Sequence, residues 1–162
     1  MKTSIAKILS TCGVGYLPLA PGTWGSAVGV LIYLAAVQLA FQYKIVSPAV
    51  CFAITSIVFV AFALIAFWAS SRTAESLGGK DPQIVVVDEV LGQLVTFLFV
   101  PFTFSWKLIL AGFVLFRLFD IWKPYPVKEF EKLPGGIGIC ADDIVAGIYA
   151  GTCLAVLNVF VG

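Results

Sequence analysis

The chain of 162 residues is 60% hydrophobic and 12% charged, with a formal net charge of +1 and a mean hydropathy of +1.04. Soluble domains are about half apolar and about a quarter charged, so this composition excludes an ordinary soluble protein. It predicts a single all-α, membrane-embedded helical bundle over residues 1–162. Histidine is absent, which excludes histidine nucleophiles, haem ligation and typical zinc hydrolases. Four scattered cysteines without a Cys-x-x-Cys pair predict neither a disulfide framework nor a zinc site.

Apolar stretches predict about five membrane segments, judged against a span of about 20 residues. In chain order they cover residues 26–41, 47–69, 84–104, 106–122 and 144–162, and Pro101 is expected to kink or end the third. Most Lys and Arg residues fall on one side of these segments, and the positive-inside rule makes that side cytoplasmic. All nine acidic residues lie on or near the same end. This asymmetry indicates a functional site at the cytoplasmic interface.

The stretch APGTWGS, residues 20–26, precedes the first segment. Pro21-Gly22 is a turn signal, and Thr23 or Ser26 is expected to cap the following helix. Free backbone N–H groups at a helix start can bind an anion, which makes Thr23 and Ser26 candidate phosphate-binding residues. The alternative is a plain helix cap after a loop.

The third segment contains two adjacent carboxylates, Asp88 and Glu89, in the run IVVVDEVLGQ. A charge at mid-membrane costs about 2.5–3.5 kcal/mol on insertion scales. We therefore expect both side chains to face the interior of the bundle and to have a function there. If the helix begins near Pro82, the two acids lie within its first two turns, and Glu89 shares a face with Gln93. Metal ligation is the favoured interpretation. The alternative is an acid near a helix end that reaches the interface or pairs with a lysine.

The fourth segment ends in FRLFDIWKPYP. Arg117 and Asp120 are three residues apart, which is the spacing of an ion pair within a helix, and Asp120 and Lys123 repeat it. Arg117 and Lys123 are also the natural phosphate binders, because Arg offers a donor fork and Lys a point charge. Pro124 is expected to stop the helix.

The last segment follows LPGGIG, residues 133–138, which predicts flexible backbone that could cover the site. In CADDIVAGIYAG, Asp142 and Asp143 are expected at the N-cap and first turn of the helix. A capping role alone would explain them. However, Asp143 lies on one stripe with Gly147 and Gly151, and this Gly-x-x-x-Gly spacing predicts a close helix crossing below a carboxylate.

Carboxylates beside Arg and Lys, without histidine, suit Mg²⁺, which prefers oxygen ligands and substrate phosphate. A phosphomonoester carried by a lipid would explain why such a site lies at the membrane interface. Two alternatives remain: a small cation transporter or channel that uses the same acids, and a structural subunit whose acids pair with a basic partner helix. The transporter would need polar groups across the whole membrane, yet the outer halves of the segments are apolar.

Four motifs together resemble the successive motifs of the bacterial phosphatidylglycerophosphatase A family: GVGYLPLAPGTWGS, DPQIVVVDEVLGQ, FRLFDIWKPYPVKEFE and GGIGICADDIVAGIYAG. The resemblance implies a Mg²⁺-dependent phosphatase of the bacterial inner membrane that converts phosphatidylglycerophosphate to phosphatidylglycerol. One departure is Ala141, where the family commonly has a larger apolar residue. By motif match, the resemblance implies acidic site positions at Asp81, Asp88, Glu89, Asp120, Asp142 and Asp143, with Thr23, Arg117 and Lys123 on the phosphate side. Within this set we expect metal ligands at Asp81, Asp88, Glu89, Asp142 and Asp143, catalytic residues at Asp120, Arg117 and Lys123, and phosphate-binding residues at Thr23, Ser26, Arg117 and Lys123.

Overall fold

The computed structural model describes residues 2–43, 48–79 and 82–161, and this part of the chain is helical without a strand. The predicted all-α class is therefore confirmed. The helices are α1 Lys2–Thr11, α2 Pro21–Gln42, α3 Pro48–Leu77, α4 Val87–Phe97, α5 Trp106–Trp122, α6 Val127–Phe130 and α7 Gly135–Val161.

Three helical stretches in the described ranges are long and apolar enough to cross a membrane: Pro21–Gln42, Ala53–Leu77 and Gly135–Phe160. At 1.5 Å per residue, α2 is about 33 Å long, which matches the hydrocarbon thickness of a bilayer. Helix α5 has the predicted bounds and a length of about 26 Å, whereas α4 is only about 16 Å long. For these two helices, full crossing stays a prediction.

The third predicted segment is only partly helical. Helix α4 begins at Val87 rather than near Pro82 and ends at Phe97, so residues 98–105 lead to α5 without helical structure. The backbone of this link is bonded by Tyr33 of α2, whose hydroxyl accepts from the Thr103 N–H at 3.1 Å and faces the Thr103 carbonyl at 3.3 Å. Non-helical backbone among apolar side chains needs such protein partners, because apolar surroundings offer none.

The start of α2 differs from the expected cap. The helix begins at Pro21, and the residue before it, Ala20, makes no side-chain cap. Proline suits this first position because its fixed φ is already helical and its missing N–H needs no partner there. Thr23 and Ser26 therefore lie inside the helix, where the Ser26 hydroxyl donates to the Gly22 carbonyl at 2.9 Å. Their expected capping role is wrong.

Helix α7 begins at Gly135, about two turns before Asp142, so neither Asp142 nor Asp143 is a cap or first-turn residue. The N–H of Gly136 donates to the Ser71 hydroxyl of α3 at 2.5 Å. A Cβ at Gly136 would overlap the Phe67 carbonyl of α3. The glycines thus allow α7 to start against the α3 backbone, and the expected flexible cover is wrong.

Helix α4 packs between α2 and α7 through glycines on both neighbours. A Cβ at Gly29 of α2 would lie 2.8 Å from the Gln93 Cβ, and a Cβ at Gly147 of α7 would overlap the Gly92 carbonyl. At Gly151, an added Cβ would meet the Phe99 ring just beyond α4. The predicted close crossing of the Gly147–Gly151 stripe is therefore confirmed, and its partner is α4. Close backbone approach of this kind replaces the hydrophobic driving force that lipid cannot supply.

One end of the bundle gathers the helix ends that carry the acidic residues. The Val86 N–H before α4 donates to the Ser10 carbonyl of α1 at 2.9 Å. The Ser10 hydroxyl lies 2.8 Å from that of Thr73 near the end of α3. Since α7 starts on Ser71, the starts of α4 and α7 and the end of α3 lie at the same end of the bundle.

Candidate metal and phosphate site

Three carboxylates from two helices, two of them buried and one half-buried, meet at this end. Asp88 and Glu89 lie in the first turn of α4, and Asp143 lies on the face of α7 that crosses α4. One carboxylate oxygen from each residue lies within 4.8 Å of those from the other two. Asp88 is 7% exposed and Asp143 is 4% exposed. The Gly92–Gly147 crossing explains the convergence, because it brings the backbones of α4 and α7 close together just below the acids.

These three acids make no ion pair with a described Lys or Arg. Asp88 Oδ1 and Glu89 Oε2 are buried and have no hydrogen-bond partner in the described part of the chain. Buried charges normally pair with a countercharge or coordinate a metal, because leaving water is otherwise too costly. An all-carboxylate donor set with free oxygens fits a hard divalent cation such as Mg²⁺. The residues present therefore fit the predicted cofactor.

Two cationic side chains lie beside the carboxylate group. Arg117 Nη1 donates to Asp120 Oδ2 at 2.5 Å, which is the predicted ion pair within α5. Lys123 follows the end of α5 and donates to Asp142 Oδ2 of α7 at 2.6 Å. The sequence predicted Asp120 as the partner of Lys123, at helical spacing, but the partner in the structure is Asp142. The reason is that the helix ends at Lys123, which has a left-handed backbone conformation.

Lys123 lies outside the membrane-spanning helices, and its charge is strongly favoured. Burial lowers its pKa, but the hydrogen bond from Lys123 to Asp142 and the charges of Asp142, Asp143 and Glu131 outweigh that effect and raise the pKa above its usual value. Lys123 therefore stays protonated at neutral pH and can offer a permanent positive charge to a phosphoryl group.

The start of α2 lies where the carboxylate group and Arg117 meet. A Cβ at Gly22 would overlap Glu89 Oε1 and would lie 2.9 Å from Arg117 Nη1. Thr23 is half-buried in this first turn, whereas Ser26 is fully buried one turn deeper and already bonded to the Gly22 carbonyl. Only glycine leaves room at position 22 for both charged groups. Sequence reasoning passed over Gly22, although the Pro-Gly pair at a helix start marked it.

The structure divides the predicted site residues into two groups. Asp88, Glu89 and Asp143 form the carboxylate group, whereas Asp142 is directed to Lys123. Asp120 lies beside Asp143 and holds Arg117, so it links the two groups. The remaining predicted ligand, Asp81, lies outside the described residues.

Gln93 is a site residue that sequence reasoning did not select. It is fully buried one turn after Glu89 on α4, and both of its amide atoms lack a hydrogen-bond partner in the described part of the chain. Its position four residues after Glu89 in DEVLGQ was the available signal, since such residues share a helix face.

The Cys12 thiol, which feels the charge of Glu89, is not a nucleophile of this site. Cys12 follows α1, and burial together with the charge of Glu89 raises its pKa to about 11. A thiol with this pKa stays protonated at neutral pH and reacts poorly, since the thiolate is the nucleophile. The chemistry of the site therefore rests on oxygen ligands and cations.

An apolar groove of about 360 Å³ lies between α2 and α3, with α4 at its base. Its α4 residues, Leu94 and Phe97, come one to two turns deeper in the bundle than Glu89. Ala36 and Ala40 line it from α2, and Val58 lines it from α3. The groove therefore runs beside α2 below the level of the charged groups.

Comparison with known proteins identifies the family. The family model for phosphatidylglycerophosphatase A matches residues 7–158. A Bacteroides thetaiotaomicron protein named "Putative phosphatidylinositol-3-phosphatase" is 36% identical over 151 residues, which cover 93% of this chain and 91% of the relative.

Two further relatives are named phosphatidylglycerophosphatase A. The Haemophilus influenzae protein is 36% identical over 140 residues, which cover 85% of this chain and 78% of the relative. The Escherichia coli protein is 34% identical over 137 residues, which cover 84% of this chain and 73% of the relative. No solved structure matches the chain. The motifs, the all-helical fold and these matches agree: the chain belongs to the phosphatidylglycerophosphatase A family.

Proposed function

We propose that the protein is a Mg²⁺-dependent lipid phosphatase that hydrolyses the terminal phosphomonoester of phosphatidylglycerophosphate. The observation that carries this proposal is the convergence of three carboxylates beside the cations Arg117 and Lys123: Asp88 and Asp143 are buried, and Glu89 is half-buried. Family membership supports the reaction, since two relatives carry the name of this phosphatase. The buried, unpartnered carboxylate oxygens support the metal requirement.

In this proposal, Asp88, Glu89 and Asp143 hold Mg²⁺. When bound, the metal supplies charge neutralisation for the phosphoryl oxygens and lowers the pKa of water. Arg117 and Lys123 bind phosphoryl oxygens that the metal leaves free, Arg117 through its donor fork and Lys123 as a point charge. Asp120 holds the Arg117 guanidinium in place, as Asp142 does for Lys123. The Thr23 hydroxyl and the Gly22 N–H add donors at the start of α2, where the N–H groups of Thr23 and Trp24 already donate to the Ala20 carbonyl.

The lipid part of the substrate fits the apolar groove. We assign one acyl chain to the space between α2 and α3, which lies deeper in the bundle than the carboxylate group. The lining is apolar apart from Thr55 and Tyr33, and the Tyr33 hydroxyl is already bonded to Thr103. The phosphorylated headgroup would then lie at the charged end of the bundle and the acyl chain would run along α2. A membrane lipid already has this orientation in the leaflet.

We place the protein in the bacterial inner membrane with the charged end at the cytoplasmic face. Lys and Arg residues at that end, including Arg72, Lys123, Lys128 and Lys132, support this orientation by the positive-inside rule. Lys107 lies at the opposite end, in the first turn of α5.

The test is phosphate release by the purified, detergent-solubilised protein from a panel of phospholipids, with Mg²⁺ and with a chelator. Phosphatidylglycerophosphate, phosphatidylinositol 3-phosphate and phosphatidate form the panel, because the relatives carry two lipid names. We expect Mg²⁺-dependent release that is fastest with phosphatidylglycerophosphate. Release that is unchanged in the chelator, or absent from every lipid while the protein conducts cations in liposomes, would contradict the proposal.

A further inference from the structure

In the part of the chain that the structure describes, six buried side-chain polar atoms have no hydrogen-bond partner, and four of them belong to Gln93, Glu89 and Arg117. They are Gln93 Nε2 and Oε1, Glu89 Oε2 and Arg117 Nε. The other two, Asp88 Oδ1 and Asp142 Oδ1, are carboxylate oxygens of the charged site. A buried polar group left unpaired costs about 1–3 kcal/mol, so a fully buried amide with neither atom bonded needs a functional reason.

The four atoms are complementary in hydrogen-bonding type. Gln93 Nε2 is a donor and Glu89 Oε2 an acceptor, whereas Arg117 Nε is a donor and Gln93 Oε1 an acceptor. A single reorientation of the Gln93 amide could therefore satisfy all four atoms, with one hydrogen bond to each neighbour.

Glu89 is a close neighbour of both Gln93 and Arg117. Glu89 and Gln93 are four residues apart on the same face of α4. A Cβ at Gly22 of α2 would overlap Glu89 Oε1 and would lie 2.9 Å from Arg117 Nη1, so the Arg117 guanidinium and the Glu89 carboxylate lie side by side. The absence of side chains at Gly22 and Gly29 of α2 leaves space for Glu89 and Gln93 between the helices.

We propose that Gln93 is a positioning residue that bridges Glu89 and Arg117. Its Nε2–H donates to Glu89 Oε2, which directs the other carboxylate oxygen of Glu89 to the metal, and its Oε1 accepts from Arg117 Nε. The amide thereby fixes the metal ligand and the phosphate-binding arginine relative to each other. This inference rests on the metal site of the proposed function and adds a residue that holds that site in shape.

The experiment measures Mn²⁺ dissociation constants of the full-length, detergent-solubilised protein by electron paramagnetic resonance of the free ion. Gln93→Leu is the main variant, and Gln93→Met keeps an unbranched side chain in case Leu does not fold. Groups that orient a metal ligand typically contribute 10- to 100-fold to metal affinity, so we expect Mn²⁺ to bind about 10- to 100-fold more weakly to both variants. The unfolding temperatures of the metal-free variants serve to confirm that both are folded.

Thr96→Val is the matched control on the same helix. Thr96 is also fully buried, but its hydroxyl already donates to the Gly92 carbonyl at 3.1 Å, with the Gly147 carbonyl 3.4 Å away. This variant should lower the unfolding temperature and leave the Mn²⁺ dissociation constant unchanged. A merely structural role of Gln93 would give the same pattern as Thr96.

A double-mutant cycle with Arg117→Met tests the bridge itself. Residues that interact directly have non-additive effects, so Gln93→Met should weaken Mn²⁺ binding much less in the Arg117→Met background. Dissociation constants of both Gln93 variants within roughly twofold of wild type, or strictly additive effects, would overturn the bridge even if the wild type binds Mn²⁺ and releases phosphate. A wild type without metal-dependent phosphate release would instead contradict the proposed function.

Discussion

Helices α3 and α4 are both apolar in sequence, yet they have opposite environments. Helix α3 has 30 residues, and 22% of its most apolar stretch is buried within the protein. Helix α4 has 11 residues, nine of which are buried. The long helix exposes its surface and needs no polar partners there, whereas the short one is enclosed by α2, α3, α5 and α7.

This difference explains where the membrane protein can keep charges. A carboxylate on the exposed surface in the middle of α3 would face hydrocarbon. Asp88 and Glu89 on α4 instead face α7, which contributes Asp143 to the same group. Burial in protein, rather than membrane depth alone, makes the charged site possible. The following predictions sharpen or break this contrast, in order of decreasing expected effect.

The largest effect is expected from removing one carboxylate of α4 or α7. Asp88→Asn, Glu89→Gln or Asp143→Asn should lower the rate of Mg²⁺-dependent phosphate release by at least about 100-fold, because direct ligands contribute at least as much as the groups that orient them. Glu75→Gln on α3 is the control, since Glu75 is exposed and pairs with Arg72 rather than with a residue of the site. Full activity in all three site variants would refute the assignment.

The next effect concerns the close crossing that supports the site. Gly92→Ala should lower the free energy of unfolding by about 1–3 kcal/mol, because the added Cβ would meet the Phe116 ring and the Asp143 carbonyl. Ala61→Leu, on the exposed surface of α3, adds more volume and should be nearly neutral. Unfolding of both variants in the same detergent gives the comparison. Equal stabilities would show that the crossing does not constrain α4.

A smaller effect is expected in the groove between the two helices. Ala36→Trp should fill the groove and raise the KM for a long-chain substrate by about 10-fold, which corresponds to the loss of about 1.4 kcal/mol of binding free energy. The KM for a short-chain analogue should stay unchanged. Ala35→Trp is the matched control, because Ala35 is next to Ala36 in the chain but is exposed and does not line the groove. Equal KM values for the two variants would place the acyl chain elsewhere.

The smallest effect concerns the non-helical link after α4. Tyr33→Phe removes the hydroxyl that bonds the Thr103 backbone and should lower the free energy of unfolding by about 1 kcal/mol. Phosphate release by the folded protein should be retained, since Tyr33 lies far below the carboxylate group along α2. An unchanged denaturation midpoint would mean that another group satisfies the Thr103 backbone.

The helix type and several bounds followed from local sequence. The all-α class and the bounds of α5 are as predicted, because Trp106–Trp122 lies between a loop and Pro124. The starts of α4 and α7 were not predictable in the same way. Gly135 and Gly136 read as loop, and only the Ser71 hydroxyl and the close α3 backbone explain why they are helical.

The site was predictable as a set of residue types and only in part as a set of pairs. The Arg117–Asp120 pair and the position of Asp143 above the Gly147–Gly151 crossing followed from helical spacing. The pairing of Lys123 with Asp142 did not, because it depends on the left-handed backbone at Lys123, which turns that cation away from Asp120. Gln93 needed the structure, because an unpaired buried amide is visible only once its surroundings are known.

The central claim is that Asp88, Glu89 and Asp143 hold one divalent cation between α4 and α7. The most direct measurement is anomalous X-ray scattering from a crystal of the protein grown with Mn²⁺. The account predicts an anomalous peak within ligand distance of oxygens from all three residues. A peak only at Asp120 or Asp142, or none at the α4–α7 crossing in a crystal of active protein, would contradict it.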